Sequence, residues 1–227
     1  MRSMKAGNHK RLRHTAILNA ARGVSRLSIS LVADYHLEAA VKIPRPAIFI
    51  APHRSMFDIP LGIQTFHRLD ASPLLVVSRA QLQMLRVPAS NWDALDLLPI
   101  SRDSKGRSSL LAAGTEALAN GRSVAIMPEG RVIRGSSRSG DVRSGAAALA
   151  AQTSAPVVVL GSAGSEQFWQ RRRPTTFLNA NRKPVVALVH DVIDPDPDVE
   201  STRDSIASAL TAAENQARAR LASLQES

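Results

Sequence analysis

From Pro46 onward the chain alternates short apolar runs with longer amphipathic stretches, and this alternation constrains the fold more than any other feature. Ala47–Ala51 (AIFIA), Leu74–Ser78 (LLVVS), Leu97–Ile100 (LLPI), Ser123–Met127 (SVAIM), Val157–Leu160 and Val185–His190 read as buried strands. Such runs are too short for core helices, and most lack the polar alternation of a half-solvated strand. Between them Ile59–Phe66, Ser104–Asn120 and Gly145–Thr153 read as helices, and Gly121 after Asn120 is a helix stop. Strand and helix in alternation imply βαβ units, hence an α/β fold: a mostly parallel central sheet flanked by helices. Ser136–Gly140 (SSRSG) reads as a surface loop and Asp191–Asp198 (DVIDPDPD) as an acidic, proline-broken linker. Ile206, Leu210, Ala213, Ala217, Leu221 and Leu224 mark a closing amphipathic helix. With no internal repeat, residues 35–227 read as one domain, preceded by a basic helical segment over residues 1–34.

That first segment carries no acidic residue from Met1 to Ala33. Leu12, Ala16, Ala20, Val24, Leu27 and Leu31 recur at spacings of three and four, one stripe of a helix, with Arg11, Arg22 and Arg26 on the opposite side and Arg13 breaking the pattern. A basic amphipathic helix of this kind either packs its stripe on the domain or lies in an anionic lipid interface. The whole chain holds 29 Lys and Arg against 19 Asp and Glu, a net +10 that attracts anionic partners. Aromatic residues are only 4%, a poor platform for stacking single-stranded bases, so a non-enzymatic nucleic-acid-binding role is the weaker reading of that charge. Cysteine is absent, which excludes disulfides, thiolate metal sites and a thiol nucleophile. No run approaches the length of a spanning helix, and no secretory signal follows the basic N-terminus. A cytoplasmic protein, free or attached to a membrane face, is the expectation.

Four segments carry candidate chemistry. Pro52-His53-Arg54-Ser55-Met56-Phe57-Asp58 follows the AIFIA strand and precedes a helix. On one continuous helix His53 and Asp58 would point apart; at a strand-to-helix turn the carboxylate can hold the imidazole in one tautomer and raise its basicity. The same residues would also serve as a plain helix cap and a turn. Met127-Pro-Glu-Gly-Arg-Val-Ile-Arg134 lies at another strand end, where Glu129, Arg131 and Arg134 would meet a ligand in the crevice outside the strand termini. Arginine suits phosphate because its planar fork donates paired, charge-assisted hydrogen bonds. Ile100-Ser-Arg102 brings a further cation to a third strand end, and Pro156-Val-Val-Val opens a strand.

In this order and spacing the four segments resemble the four blocks of the glycerolipid acyltransferase superfamily, whose best-known bacterial members are 1-acyl-glycerol-3-phosphate acyltransferases. His53-Arg-Ser-Met-Phe-Asp58 resembles its His-x4-Asp block, Ile100-Ser-Arg102 its second, Met127-Pro-Glu-Gly130 its Phe-Pro-Glu-Gly, and Pro156-Val-Val-Val its fourth. The resemblance spans residues 35 to 190, and the His-x4-Asp followed by Pro-Glu-Gly is its specific part. Two departures stand out. Pro52 replaces the usual Asn, and Val132 occupies the place of the family's phosphate-binding Arg in Glu-Gly-Thr-Arg-Ser, with Arg131 and Arg134 as substitutes.

The resemblance implies an enzyme of phospholipid biosynthesis that moves a fatty acyl group from acyl-CoA or acyl carrier protein to the hydroxyl of 1-acyl-glycerol-3-phosphate. Another lysophospholipid, glycerol-3-phosphate or a glycolipid is the alternative acceptor. His53 is the implied general base and Asp58 its orienting carboxylate. Ser55, Arg102, Glu129, Gly130, Arg131 and Arg134 are the implied substrate-binding residues, with backbone N–H groups near Ser55 receiving the oxyanion. No metal or cofactor is implied beyond the acyl thioester substrate. The implied partners are the two substrates, an anionic membrane surface and acyl carrier protein, with the enzyme peripheral on the cytoplasmic face of the inner membrane.

Overall fold

Residues 2–133, 141–168 and 182–226 are described in the computed structural model, with side chains from residue 14 onward. Arg134 and the Ser136–Gly140 loop lie outside the described residues.

Among the described residues the strands are β1 (Ala33–Ala39), β2 (Ile48–Ile50), β3 (Leu74–Ser78), β4 (Leu97–Ile100), β5 (Val124–Ile126), β6 (Val157–Ala163) and β7 (Lys183–Ile193). The helices are α1 (Arg2–Val32), α2 (Asp58–Arg68), α3 (Arg79–Met84), α4 (Ser104–Ala119), α5 (Ser144–Thr153) and α6 (Val199–Glu226). One sheet runs in the order β1-β7-β6-β2-β5-β3-β4. From β6 to β4 every pairing is parallel, whereas β7 is antiparallel to β6 and carries β1 parallel to itself. The sheet is thus mostly parallel and flanked by helices, as expected. The acidic linker begins later than its composition suggests: Asp191, Val192 and Ile193 still belong to β7, where Ile193 pairs with Val157.

The apolar runs have no polar face because both faces of the central strands are covered. On one side Ile48, Ile50, Val124, Ile126, Val157 and Val159 meet Leu110 and Leu118 of α4, Leu149 of α5, and Ile206 and Leu210 of α6. On the other Phe49, Ala125, Val158 and Leu160 pack with Phe66 of α2. Each large aliphatic side chain fully buried this way contributes roughly 1.5–3 kcal/mol. Gly161 in β6 allows α6 to lie directly on the sheet: a Cβ there would stand 2.2 Å from the Ala213 carbonyl oxygen.

From Ala16 onward helix α1 turns its predicted stripe away from the protein. Val24, Leu27 and Leu31 are 66%, 60% and 65% exposed. Its inward face is made instead by Ser25, Ile29 and Val32, the last two packing in a cluster with Phe57, Leu61 and Phe168. Packing of the stripe on the domain is therefore ruled out. Helix propensity and period alone cannot tell which of two neighbouring stripes is covered. No helix among the described residues is long and apolar enough to cross a membrane.

Candidate active site

In a parallel block all carboxyl ends of the strands open on one edge, and β2, β5, β3 and β4 are consecutive neighbours in it. The chain leaves these four strands through His53, Glu129, Gln81 and Arg102 respectively. The local sequence then decides how each side chain is aimed.

Asp58 is the first residue of α2, and one of its oxygens organises the whole turn before it. Asp58 Oδ2 lies 3.0 Å from His53 Nδ1 and accepts the backbone N–H groups of Arg54 at 2.6 Å and Ser55 at 2.8 Å. These donors precede the helix, so Asp58 does not act as a cap; the N-cap position is held by Phe57, which makes no side-chain cap bond. The bonds curl the chain back until His53 faces a carboxylate five residues later, and both side chains are buried. A carboxylate can only accept, so the network assigns the proton of His53 to Nδ1 and leaves the Nε2 lone pair pointing away. The Gln81 carboxamide nitrogen occupies that lone pair at 2.8 Å.

The Pro-Glu-Gly segment braces this turn from below. Glu129, 2% exposed, accepts the His53 backbone N–H at 2.8 Å, and the Ile133 N–H donates to the His53 carbonyl at 2.7 Å. Gly130 sits at φ +65°, a left-handed conformation that favours glycine, and a Cβ there would also press on the Arg143 side chain at 3.1 Å. Ser55 is likewise turned inward: its hydroxyl donates to the Phe168 carbonyl at 2.7 Å and accepts the Phe57 N–H at 3.0 Å. Glu129 and Ser55 therefore hold the turn rather than line an open surface.

Arg54 ties the turn to the far end of the chain. Its guanidinium bonds both carboxylate oxygens of Glu214 on α6, and its Nη1 lies 3.3 Å from Glu129 Oε1, within ion-pair range but without hydrogen-bond geometry. Burial disfavours the charge of Arg54, but the bonds to Glu214 and the fields of Glu129, Glu214 and Asp58 outweigh it and hold the guanidinium above its usual range. Arg102 and Arg131 are exposed; so are Arg79 and Arg143, two cations the motif reading passes over. Gln81 and Glu214 lie outside every motif; Arg54 lies inside one, but its partner stands 160 residues away.

Beside the His53–Asp58 pair lies an apolar cavity of about 290 Å³. Pro52, Asp58 and Gln81 contribute to its wall, together with Leu18 and Ala21 of α1 and Phe66 of α2. A hydroxyl-bearing substrate at His53 Nε2 would thus meet an aliphatic chain seated in this cavity, next to a carboxylate-backed imidazole. That is equipment for abstracting a proton from a bound hydroxyl.

The family model described as Acyltransferase matches residues 34–162, which include the His53 turn and the Pro-Glu-Gly segment. The fold is similar to the crystal structure of the 1-acyl-sn-glycerophosphate acyltransferase PlsC from Thermotoga maritima, with a TM-score of 0.71 over 91% of this chain and 81% of that one, at 19% identity. A search of the curated proteins returns no match.

Proposed function

This chain belongs to the acyltransferase family, and from that premise we propose that it carries an acyl group from acyl-CoA or acyl carrier protein to the free hydroxyl of 1-acyl-glycerol-3-phosphate, in phospholipid biosynthesis. The observation that carries the reading is the 3.0 Å contact between His53 Nδ1 and Asp58 Oδ2, which directs the basic Nε2 toward the apolar cavity wall formed in part by Gln81. The acceptor is suggested by the activity named for the Thermotoga protein and by the exposed cations at this edge, Arg102, Arg131, Arg79 and Arg143, which suit a phosphate.

In the proposed reaction the acceptor hydroxyl gives its proton to His53 Nε2 as its oxygen attacks the thioester carbonyl carbon. The carbonyl π electrons move to oxygen. When the C=O bond re-forms, the carbon–sulfur bond breaks, and the departing thiolate takes the proton from His53. Asp58 keeps Nδ1–H in place throughout and stabilises the transient imidazolium. Ester and thiol are the products, and no covalent acyl-enzyme is needed. Glu129 and Arg54 act through the turn, fixing the backbone of His53.

The exposed apolar stripe of α1 and the net charge of +10 support docking on the anionic inner face of the membrane, where the acceptor lipid resides. Flotation with phosphatidylglycerol-containing liposomes tests this, and protein left at the bottom of the gradient removes it.

For the reaction, labelled acyl-CoA and 1-acyl-glycerol-3-phosphate are offered to wild type and to His53→Ala. Transfer by wild type that falls by about 10²–10⁴-fold in the variant is expected. Wild-type silence with this acceptor, from both CoA and acyl-carrier-protein thioesters, overturns the named substrates and turns the search to other lysolipids and glycolipids.

A further inference from the structure

Acyl transfer needs a donor aimed at the developing oxyanion, and the turn around His53 is poorly supplied with one. Five of the six backbone N–H groups from His53 to Asp58 are spent within the site: on Glu129, twice on Asp58, and on the Ser55 hydroxyl and carbonyl. The Arg54 guanidinium is drawn inward to Glu214 and Glu129. The polar group that faces the reacting nitrogen is the Gln81 carboxamide, whose Nε2 stands 2.8 Å from His53 Nε2.

An acceptor hydroxyl must come within about 2.6–3.2 Å of that same nitrogen to be deprotonated. It therefore displaces the carboxamide, and the displacement needs only side-chain rotation, since Leu82, the next residue, is 2% exposed and pins α3. Gln81 also lines the apolar cavity, as Asp58 does. A thioester whose chain lies in that cavity presents its carbonyl at the place the carboxamide can still reach.

Building on the acyltransfer reading above, we propose that Gln81 is a catalytic residue: its carboxamide rests on His53 Nε2 in the free enzyme and, once the acceptor hydroxyl takes that place, donates its N–H to the thioester oxygen as negative charge gathers there. The hydroxyl proton passes to His53 Nε2, the new carbon–oxygen bond forms, and the oxygen of the former carbonyl holds the charge against the Gln81 N–H. Collapse expels the thiolate, which is protonated by His53, and the carboxamide returns to the free imidazole. A side-chain donor in this role commonly supports a rate factor of about 10²–10³.

The test is steady-state transfer from palmitoyl-CoA to 1-oleoyl-glycerol-3-phosphate by wild type, His53→Ala, Gln81→Ala and Gln81→Glu, each first checked for a wild-type melting curve. The glutamate fills the same space but, ionised, has no N–H to give. A fall in kcat of about 10²–10³-fold in both Gln81 variants, with KM for both substrates changed less than about threefold, is the expected result. Equal or higher kcat in Gln81→Ala makes the contact a resting cover and overturns the assignment, passing the role to another donor such as the Met56 N–H. A loss confined to KM, or full kcat in Gln81→Glu, overturns it too. If His53→Ala matches wild type, or wild type transfers nothing, the acyltransfer reading itself fails; if only the Gln81 variants behave normally, that reading stands and the donor assignment alone falls.

Discussion

Arg54 is one buried cation facing two buried carboxylates, and that imbalance predicts unequal costs for removing either side of the network. The side chains of Arg54, Glu214 and Glu129 are 4%, 3% and 0% exposed. Glu214→Leu leaves Arg54 with Glu129 at 3.3 Å, a compensated pair, so the loss is that of charged hydrogen bonds, about 1.5–3 kcal/mol. Arg54→Met removes the guanidinium from both carboxylates at once, the paired bonds of Glu214 and the ion pair of Glu129 together, and breaking a buried pair costs about 3–5 kcal/mol. Against a total stability of about 5–15 kcal/mol the second change is the more dangerous one. Urea unfolding, followed by far-ultraviolet circular dichroism, measures both. With about 2–4 °C of melting temperature per kcal/mol at this chain length, Glu214→Leu should melt about 3–12 °C below wild type and Arg54→Met lower still. Equal losses, or a larger one for Glu214→Leu, would refute the reasoning, because they would mean that Arg54 contributes nothing beyond its bonds to Glu214.

Three further outcomes follow from the geometry. Gly62 lies inside α2 with nothing within 4 Å of a Cβ and also lines the apolar cavity, so Gly62→Ala should raise stability by about 0.5–1 kcal/mol, while Gly62→Phe should shift acyl preference toward shorter chains in a competition assay with mixed acyl-CoAs. Gly161→Ala forces β6 and α6 apart, since its Cβ would stand 2.2 Å from the Ala213 oxygen; a loss of about 1–3 kcal/mol by urea unfolding is expected, and because Glu214 adjoins Ala213, activity should fall with it. Replacing Val24, Leu27 and Leu31 together by Ser should abolish liposome flotation and leave the melting temperature within about 2 °C of wild type, as exposed positions contribute little to folding.

What the sequence declares depends on whether the relevant signal is local. β3 and β4, though only half-buried, are recovered to the residue, because each is a short, almost unbroken apolar run. β1 is harder: Ala33, Tyr35 and Leu37 alternate with Asp34, His36 and Glu38, a period-two pattern, but it follows α1 with no breaking residue between. α3 is too short for a helical period to accumulate, and with it Gln81 goes unmarked. His53, Asp58 and Glu129 are legible as a pattern of types and spacings. Glu129's orientation is not, since its buried, downward aim depends on the His53 backbone and Arg54. The partnership of Arg54 with Glu214 joins a turn near the start to a helix near the end, and no local rule connects them. The outward turn of the α1 stripe is also a tertiary fact: small Ser25 and Ser28 let Ile29 and Val32 seat closely, and the larger aliphatics are left on the other side.

Helix α1 has cavity wall on one side, through Leu18 and Ala21, and bare aliphatic surface on the other, through Val24, Leu27 and Leu31. With that outer side in a bilayer, the helix becomes a partition one helix thick between lipid and reaction chamber. Substrate lipid then arrives by lateral diffusion in a plane, and the quantity that saturates the enzyme is its mole fraction in that plane. Diluting the acceptor with inert phospholipid, at fixed bulk concentration, would slow turnover, whereas doubling the number of identical vesicles would leave the rate per bound enzyme where it was.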